Sequence, residues 1–244
     1  MDDLAIIAAQ RNAYRAEFVK HGDTPLGTHQ GDRTSLDMRF EALLRNLAPH
    51  LRAGTSIHEV GSGLCDLYGF LKSSGLNRRI TYSGTEIVQE MIDHAAQKYP
   101  EVTLCNRNFL ECGADEQYDF VLLSGTLNLL AGVEGDEWKA MCLALIKKMY
   151  AHANNAIAFN FLSSYRTFSD PLLYYFDPAE MFDFVTRNLS RFIHLDAGYP
   201  LYECTVTVFN KNYLSTFYGH DDLKKYFRQG DGRFGARSSI IDRD

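Results

Sequence analysis

Two acids and two glycines define the chemistry that this chain of 244 residues could perform. Glu59 stands two places before Gly61, and Gly63 follows two places after it. Ile57 and Val60 suit a buried strand ahead of the glycines, and residues 66–74 read as a helix behind them. Strand, glycine turn and helix form the unit that brings main chain close to a bound nucleoside. Glycine has no Cβ, so the turn can take positive φ and a ligand can approach the backbone. A dinucleotide fingerprint would need a further glycine three residues after Gly63, where Asp66 stands. The acid at 59 points the same way, because it would hold an ammonium group and repel a pyrophosphate at close range. The second acid, Glu86, ends the next strand. An acid there can accept both hydroxyls of a ribose. The other reading is an exposed acid at the start of the helix that opens at Val88.

Further polar residues fall where later strands should end. Ser124-Gly125-Thr126-Leu127-Asn128 closes the fourth strand. In open α/β sheets ligands lie beyond the carboxyl ends of the strands. Gly125 would allow a close approach there, and the main chain of Ser124 would touch the ligand. Asn128 reads either as a substrate-holding amide or as a helix cap. Asn160-Phe161-Leu162-Ser163-Ser164-Tyr165 closes the fifth strand, and the insert at 166–176 carries Phe168, Tyr174, Tyr175 and Phe176. Tyr165 is the candidate for a cation–π contact worth about 0.5–2 kcal/mol, whereas Tyr174 to Phe176 read better as core. His29, His194, Asp196 and Tyr199 are the candidate bases, with His29 in a polar, glycine-broken loop.

The segment Glu59-Val60-Gly61-Ser62-Gly63 resembles the first motif of class I S-adenosylmethionine (SAM) dependent methyltransferases, acid-x-Gly-x-Gly. Their usual third glycine is replaced here by Cys65. The resemblance implies that Glu59, Gly61, Ser62 and Gly63 hold the methionine end of SAM. It places Glu86 on the ribose and Ile87 against the adenine. In Asn106-Arg107-Asn108-Phe109 it implies that Asn108 faces the adenine amino group, with Phe109 packed beside it. Ser124 and Gly125 pass by the methionine chain, and Asn128, Tyr165 and His29 are the candidates for work on the acceptor. The implied activity is methyl transfer to a small molecule of specialised or amino-acid metabolism. Two rivals share the fold. One is a cyclase that closes SAM to azetidine-2-carboxylate and expels methylthioadenosine. The other is a SAM-binding module without catalysis.

Composition narrows the partners. A net charge of −6 provides no field for nucleic acid or an anionic membrane. No apolar run approaches the ~20 residues that span a bilayer. The start, Met1-Asp2-Asp3, lacks the basic character of a secretion signal. Five scattered cysteines, without CxxC or Cys/His spacing, read as reduced thiols of a cytoplasmic protein with no metal. The amino-methylating signature Asn/Asp-Pro-Pro-Tyr/Phe is absent, which also disfavours a nucleic-acid substrate.

The elements that must position these residues follow from periodicity and breakers. Helices are expected over 4–20 and from Ser35 to near Pro49, the second with Phe40, Leu43, Leu44 and Leu47 on one face. Strands over 56–60, 80–85, 102–106, 118–124 and 156–162 alternate with helices over 66–74, 88–99, 138–150 and 178–188. The last strands, 192–195 and 203–209, are joined too tightly for a crossover helix and should pair antiparallel. The expected architecture is a Rossmann-like α/β fold with a seven-stranded, mostly parallel sheet, a C-terminal antiparallel hairpin and an N-terminal helical cap. Residues 1–50 are assigned to the cap, 51–213 to the SAM-binding domain, and 214–244 to a tail, packed or flexible. Within that tail, Gly230, Gly232 and Gly235 lie among Arg228, Arg233 and Arg237.

Overall fold

Strand and helix alternate from Thr55 onward, and their order builds a doubly wound sheet. The computed structural model describes residues 2–227, so the glycine- and arginine-bearing stretch lies outside the described residues. Two helices come first, α1 (Asp3–His21) and α2 (Arg33–Arg45). The core alternation is β1 (Thr55–Val60), α3 (Asp66–Ser73), β2 (Ile80–Glu86), α4 (Gln89–Lys98), β3 (Thr103–Asn106), β4 (Tyr118–Leu123), α5 (Gly135–Ala151) and β5 (Ala153–Leu162). The chain continues through α6 (Pro178–Asn188), β6 (Ile193–Asp196), β7 (Glu203–Phe209) and α7 (Lys211–Tyr218).

The seven strands lie in the order β3-β2-β1-β4-β5-β7-β6. The first five are parallel, and β7 runs antiparallel between β5 and β6. This is the expected sheet with its terminal hairpin. The order reverses at β1, which pairs β2 on one side and β4 on the other. A crevice must open above that switch point, because the connections from β1 and β4 leave in opposite directions.

Both faces of the sheet are covered. Along β4, Phe120 and Leu122 join a core with α2, α3 and α7, while Val121 and Leu123 join one with α5 and α6. The two-residue alternation of a strand explains the division. The expected apolar face of α2, Phe40, Leu43, Leu44 and Leu47, is buried throughout. The start of α2 differs from expectation. Asp32 is the cap, its carboxylate accepting from the Ser35 N–H at 2.9 Å, and the Ser35 hydroxyl donates back to it at 2.7 Å. A carboxylate is the stronger acceptor for the free N–H groups of a first turn. Sequence reading also missed α7. Asn210 caps it, Gly219 ends it in a left-handed conformation, and Leu214 seals one edge of the core.

The helix α1 adds polar contacts to the packing of Ile6, Ile7, Tyr14 and Phe18. Gln10 Nε2 donates to the Leu129 carbonyl at 2.8 Å, Arg11 Nε to the Ile87 carbonyl at 3.0 Å, and Arg15 pairs with Glu90. α2 is fastened by a buried charge pair. The Arg39 guanidinium, 7% exposed, meets the Glu203 carboxylate, 4% exposed, with Nε 2.8 Å from Oε2 and Nη2 on Oε1. Arg39 Nη1 also donates to Gln30 Oε1, and Asn160 Nδ2 reaches Glu203 at 3.4 Å. Removing one member strands the other charge. Glu203→Ala should therefore cost about 3–5 kcal/mol, whereas Arg39→Met combined with Glu203→Leu should cost much less. Urea unfolding followed by circular dichroism checks both, and a fully additive double variant would contradict the pairing.

Candidate functional site

The carboxyl ends of β1, β2 and β4 open into a cleft of about 1050 Å³, measured out to its mouth. Its walls are the β1–α3 turn from Glu59 to Leu64, the β2 end from Thr85 to Ile87, Asn108 and Phe109 after β3, and Ser124 to Thr126 after β4. Trp138, Met141 and Cys142 of α5 close one side. Gln10 and Tyr14 of α1, with Thr28 and Gln30 of the following loop, complete it. The ten residues expected to bind a cofactor, Glu59, Gly61, Ser62, Gly63, Glu86, Ile87, Asn108, Phe109, Ser124 and Gly125, all line this one cleft.

The turn is left-handed at three places, with φ of 68° at Gly61, 51° at Gly63 and 59° at Cys65. Gly61 meets two demands. Its N–H and that of Ser62 donate to the Thr85 carbonyl at 2.8 and 3.0 Å, and a Cβ at 61 would lie 2.5 Å from Thr126 Oγ1. Cys65 stands where the resembled motif has glycine and keeps the left-handed backbone. That conformation costs about 1–2 kcal/mol for a residue with a side chain. Complete burial of the thiol against the α3 core offsets it.

Glu86 is 6% exposed and does not behave as a surface acid. Its Oε2 accepts from the Gly63 N–H at 2.9 Å, and its Oε1 from the Ile87 and Val88 N–H groups at 2.7 and 2.9 Å. Burial pushes its pKa up against the opposing pull of these three bonds. A carboxylate offers about four acceptor positions, so one remains, on the oxygen beside Gly63. Glu59 is 3% exposed and accepts from the Tyr82 hydroxyl. Burial drives its carboxyl up to about 8, with Tyr82 pulling down and the nearby Asp66 and Glu86 adding to the rise. Among the described residues, four buried side-chain atoms of the cleft wall have no protein partner: Gln10 Oε1, Ser62 Oγ, Arg107 Nε and Ser124 Oγ. Buried polar groups are otherwise almost always paired, which marks these as ligand-facing.

The three side chains expected to act on an acceptor do not meet in this cleft. Asn128 Oδ1 accepts from the Leu162 N–H at 3.3 Å, and its carbonyl accepts from Tyr174 at 2.7 Å. It joins two loops and caps no helix, since α5 begins seven residues on at Gly135. Tyr165 is 73% exposed, because its loop folds outward with Arg166 stacked on Tyr175. His29 adopts φ 55° and turns its ring edge-on to Tyr14 at 5.2 Å, while its neighbours Thr28 and Gln30 face the cleft. Burial lowers the His29 pKa. Asp196 pairs with Arg45, the Tyr199 hydroxyl bonds Thr205 at 2.8 Å, and neither they nor His194 line the cleft. Sequence reading missed Tyr14, Gln30, Thr126 and Trp138. One signal was available: Ile7, Gln10 and Tyr14 share a helix face at i, i+3 and i+7.

The fold and cleft are those of class I SAM-dependent methyltransferases, and the chain belongs to that family. It is 31% identical over 157 residues to a Mycobacterium tuberculosis protein named as a putative methyltransferase, a match that spans 63% of this chain and 92% of the relative. No family model matches. Among solved structures, the fold is shared with the 1,6-didemethyltoxoflavin-N1-methyltransferase of Burkholderia thailandensis, at a TM-score of 0.61 and 13% identity over 86% of this chain and 91% of that one. It is also shared with the magnesium protoporphyrin IX methyltransferase of Synechocystis PCC 6803, at 0.58 and 14% over 82% and 97%. Among the described residues, no group of three or more His, Cys, Asp or Glu could hold a metal, and no helix is long and apolar enough to cross a membrane.

Gly61→Ala should lower stability by about 1–2 kcal/mol through its φ alone, and by more through the push on Thr126. Adding Thr126→Ala should restore only the second part. Thermal unfolding of the two variants separates them, and a Gly61→Ala protein as stable as the parent would show that the turn has slack.

Proposed function

We propose that the cleft binds SAM and that the chain transfers its methyl group to a small-molecule acceptor. The observation that carries this reading is the cleft's acidic lining. Glu59, Asp66 and Glu86 line it, and its one cationic side chain, Arg107, is paired with Glu116. That balance suits a ligand with an ammonium and a sulfonium group and would oppose a pyrophosphate. In this assignment Glu59 holds the ammonium. The remaining acceptor position of Glu86 takes a ribose hydroxyl. Ile87 and Phe109 flank the adenine, with Asn108 at its edge, and Gly61, Ser62, Gly63, Ser124 and Gly125 surround the methionine chain.

Bound there, SAM supplies a methyl group on a good leaving group. The chain's own residues contribute position and the exclusion of water. The α1 face of Ile7, Gln10 and Tyr14 covers the cleft. Burial raises the Tyr14 pKa, so that phenol is a hydrogen-bond donor and not a base at neutral pH. Alignment of the acceptor is then the main source of rate. The chain's acidity favours a small acceptor over nucleic acid. The two solved neighbours carry names of small-molecule methyltransferases. A cytoplasmic setting fits the free thiols. No observation favours the cyclase. Product analysis decides: S-adenosylhomocysteine marks methyl transfer, and methylthioadenosine marks cyclisation.

Glu59 gives a binding signature. Its carboxyl titrates at about 8 in the free protein, and a bound ammonium would return it towards the ordinary carboxylate range. At about pH 7, SAM binding should therefore release a proton, and affinity should climb as pH rises towards 8. Calorimetry in buffers of different ionisation enthalpy reads the release, and Glu59→Gln should abolish it. Buffer-independent heats for the parent protein would remove Glu59 from the ammonium site.

Glu86→Gln tests the other anchor. It replaces charge-assisted bonds to both ligand and main chain, so SAM affinity should fall by about 1.5–3 kcal/mol. The melting temperature should fall with it, because one amide oxygen cannot serve three N–H groups. Retained affinity with only the stability loss would leave Glu86 as a structural tie alone.

A further inference from the structure

The loop between α1 and α2 lies against two parts of the cleft wall, the glycine turn and the tip of β4. The Thr28 methyl would lie 3.5 Å from a Cβ on Gly63, and Gln30 Nε2 would lie 2.5 Å from a Cβ on Gly125. Gln30 cannot present either end of its amide at will. Its Oε1 accepts from Arg39 Nη1, and Arg39 is itself fixed on the buried Glu203. That bond assigns the amide, so the NH₂ end is the one turned towards the β4 tip. Asn160, in contact with the same Glu203, accepts from the Gly125 N–H at 2.8 Å. One network therefore sets both the Gln30 amide and the backbone it faces.

A ligand with an amino-acid end brings a carboxylate as well as an ammonium, and the carboxylate needs donors. Most main-chain donors near the turn are already used. Gly61 and Ser62 donate to Thr85, Gly63 to Glu86, Cys65 to Ser62, and Gly125 to Asn160. Arg107 is engaged by Glu116 through both terminal nitrogens, leaving only its buried Nε unpartnered, and among the described residues no lysine lines the cleft. Gln30 Nε2 has no protein acceptor among the described residues, and the adjoining Ser124 Oγ is likewise unpartnered.

We propose that Gln30, oriented by the Arg39–Glu203 pair, donates to the carboxylate of the cofactor's methionine end. The proposal rests on the SAM reading above. It makes the loop part of the cofactor site and gives the ion pair a positioning role. A neutral amide suits this place. It binds the carboxylate without placing a cation beside the sulfonium and ammonium that the acidic cleft attracts.

The test compares two ligands on the full chain by calorimetry: S-adenosylhomocysteine, which has the amino-acid end, and 5′-methylthioadenosine, which lacks it. In Gln30→Leu the dissociation constant for S-adenosylhomocysteine should rise about ten- to a hundredfold, while that for methylthioadenosine stays the same. Gln30→Glu keeps a partner for Arg39, and so secures the loop if the leucine variant folds poorly. It should weaken S-adenosylhomocysteine at least as much, again without affecting methylthioadenosine. Unchanged S-adenosylhomocysteine binding, or an equal loss of both ligands, overturns the proposal and leaves the SAM reading standing. Failure of the parent protein to bind either ligand overturns both.

Discussion

The buried carboxylate of Glu86 is the constraint on which the cleft depends. Three main-chain N–H groups, from the glycine turn, the end of β2 and the start of α4, converge on it. Each bond is charge-assisted and shielded from water, which makes it stronger than an ordinary amide bond. Without that carboxylate, Gly63 would present a buried, unpaired donor, and the turn would lose its anchor to β2. The position of the turn in turn sets the space above β1, because Gly61 is held between the Thr85 carbonyl and Thr126. The site is thus built from backbone geometry first, with few side chains committed to it.

The second support is the polar network that joins the N-terminal segment to the sheet. Arg39, Glu203, Gln30 and Asn160 link α2, β7, the covering loop and β5 across long sequence separations. A buried ion pair of this kind adds little net stability over an apolar substitute but is costly to break. Its value here is registry, since it fixes which face of the loop looks into the cleft. The α1 helix is held by the buried Ile6 and by the buried bond from Gln10 to Leu129, and its exposed Arg15–Glu90 pair adds little in water.

Much of the fold was legible because its signals are local. Glycines at 61 and 63, the Asp177-Pro178 helix start and the short link before Glu203 each fix the chain within a few residues, and the sheet followed from their order. The lining of the cleft was legible for the same reason, since a strand end announces itself in sequence. The direction of a loop does not. Asn128 and Tyr165 follow strands and carry suitable chemistry, yet Asn128 is bound to the Leu162 main chain and Tyr165 turns to solvent. Gln30 and Tyr14 were missed because their roles depend on how two N-terminal helices dock, through contacts such as Gln10 to Leu129, 119 residues apart. The helix α7 carries both local end signals, the Asn210 cap and the left-handed Gly219, so it too was legible, and only the burial of Leu214 depends on the tertiary packing.

The buried glutamates of the cleft, Glu59 and Glu86, also place a cost on the fold that has a definite sign. The Glu59 carboxyl rises from an ordinary 4.5 to about 8 when the chain folds. Between those values the unfolded chain has lost the proton that the folded protein keeps, so the ligand-free fold loses stability as pH rises across that window, and above it the loss stays in full without growing further. Glu86 is shifted in the same direction and adds to the loss. A cation bound against Glu59 lowers that pKa and restores part of the stability by linkage. Buried, partly uncompensated carboxylates are therefore less a defect of packing than a store of attraction. They weaken the free protein slightly and raise its preference for a positively charged ligand over a neutral or anionic one of the same shape.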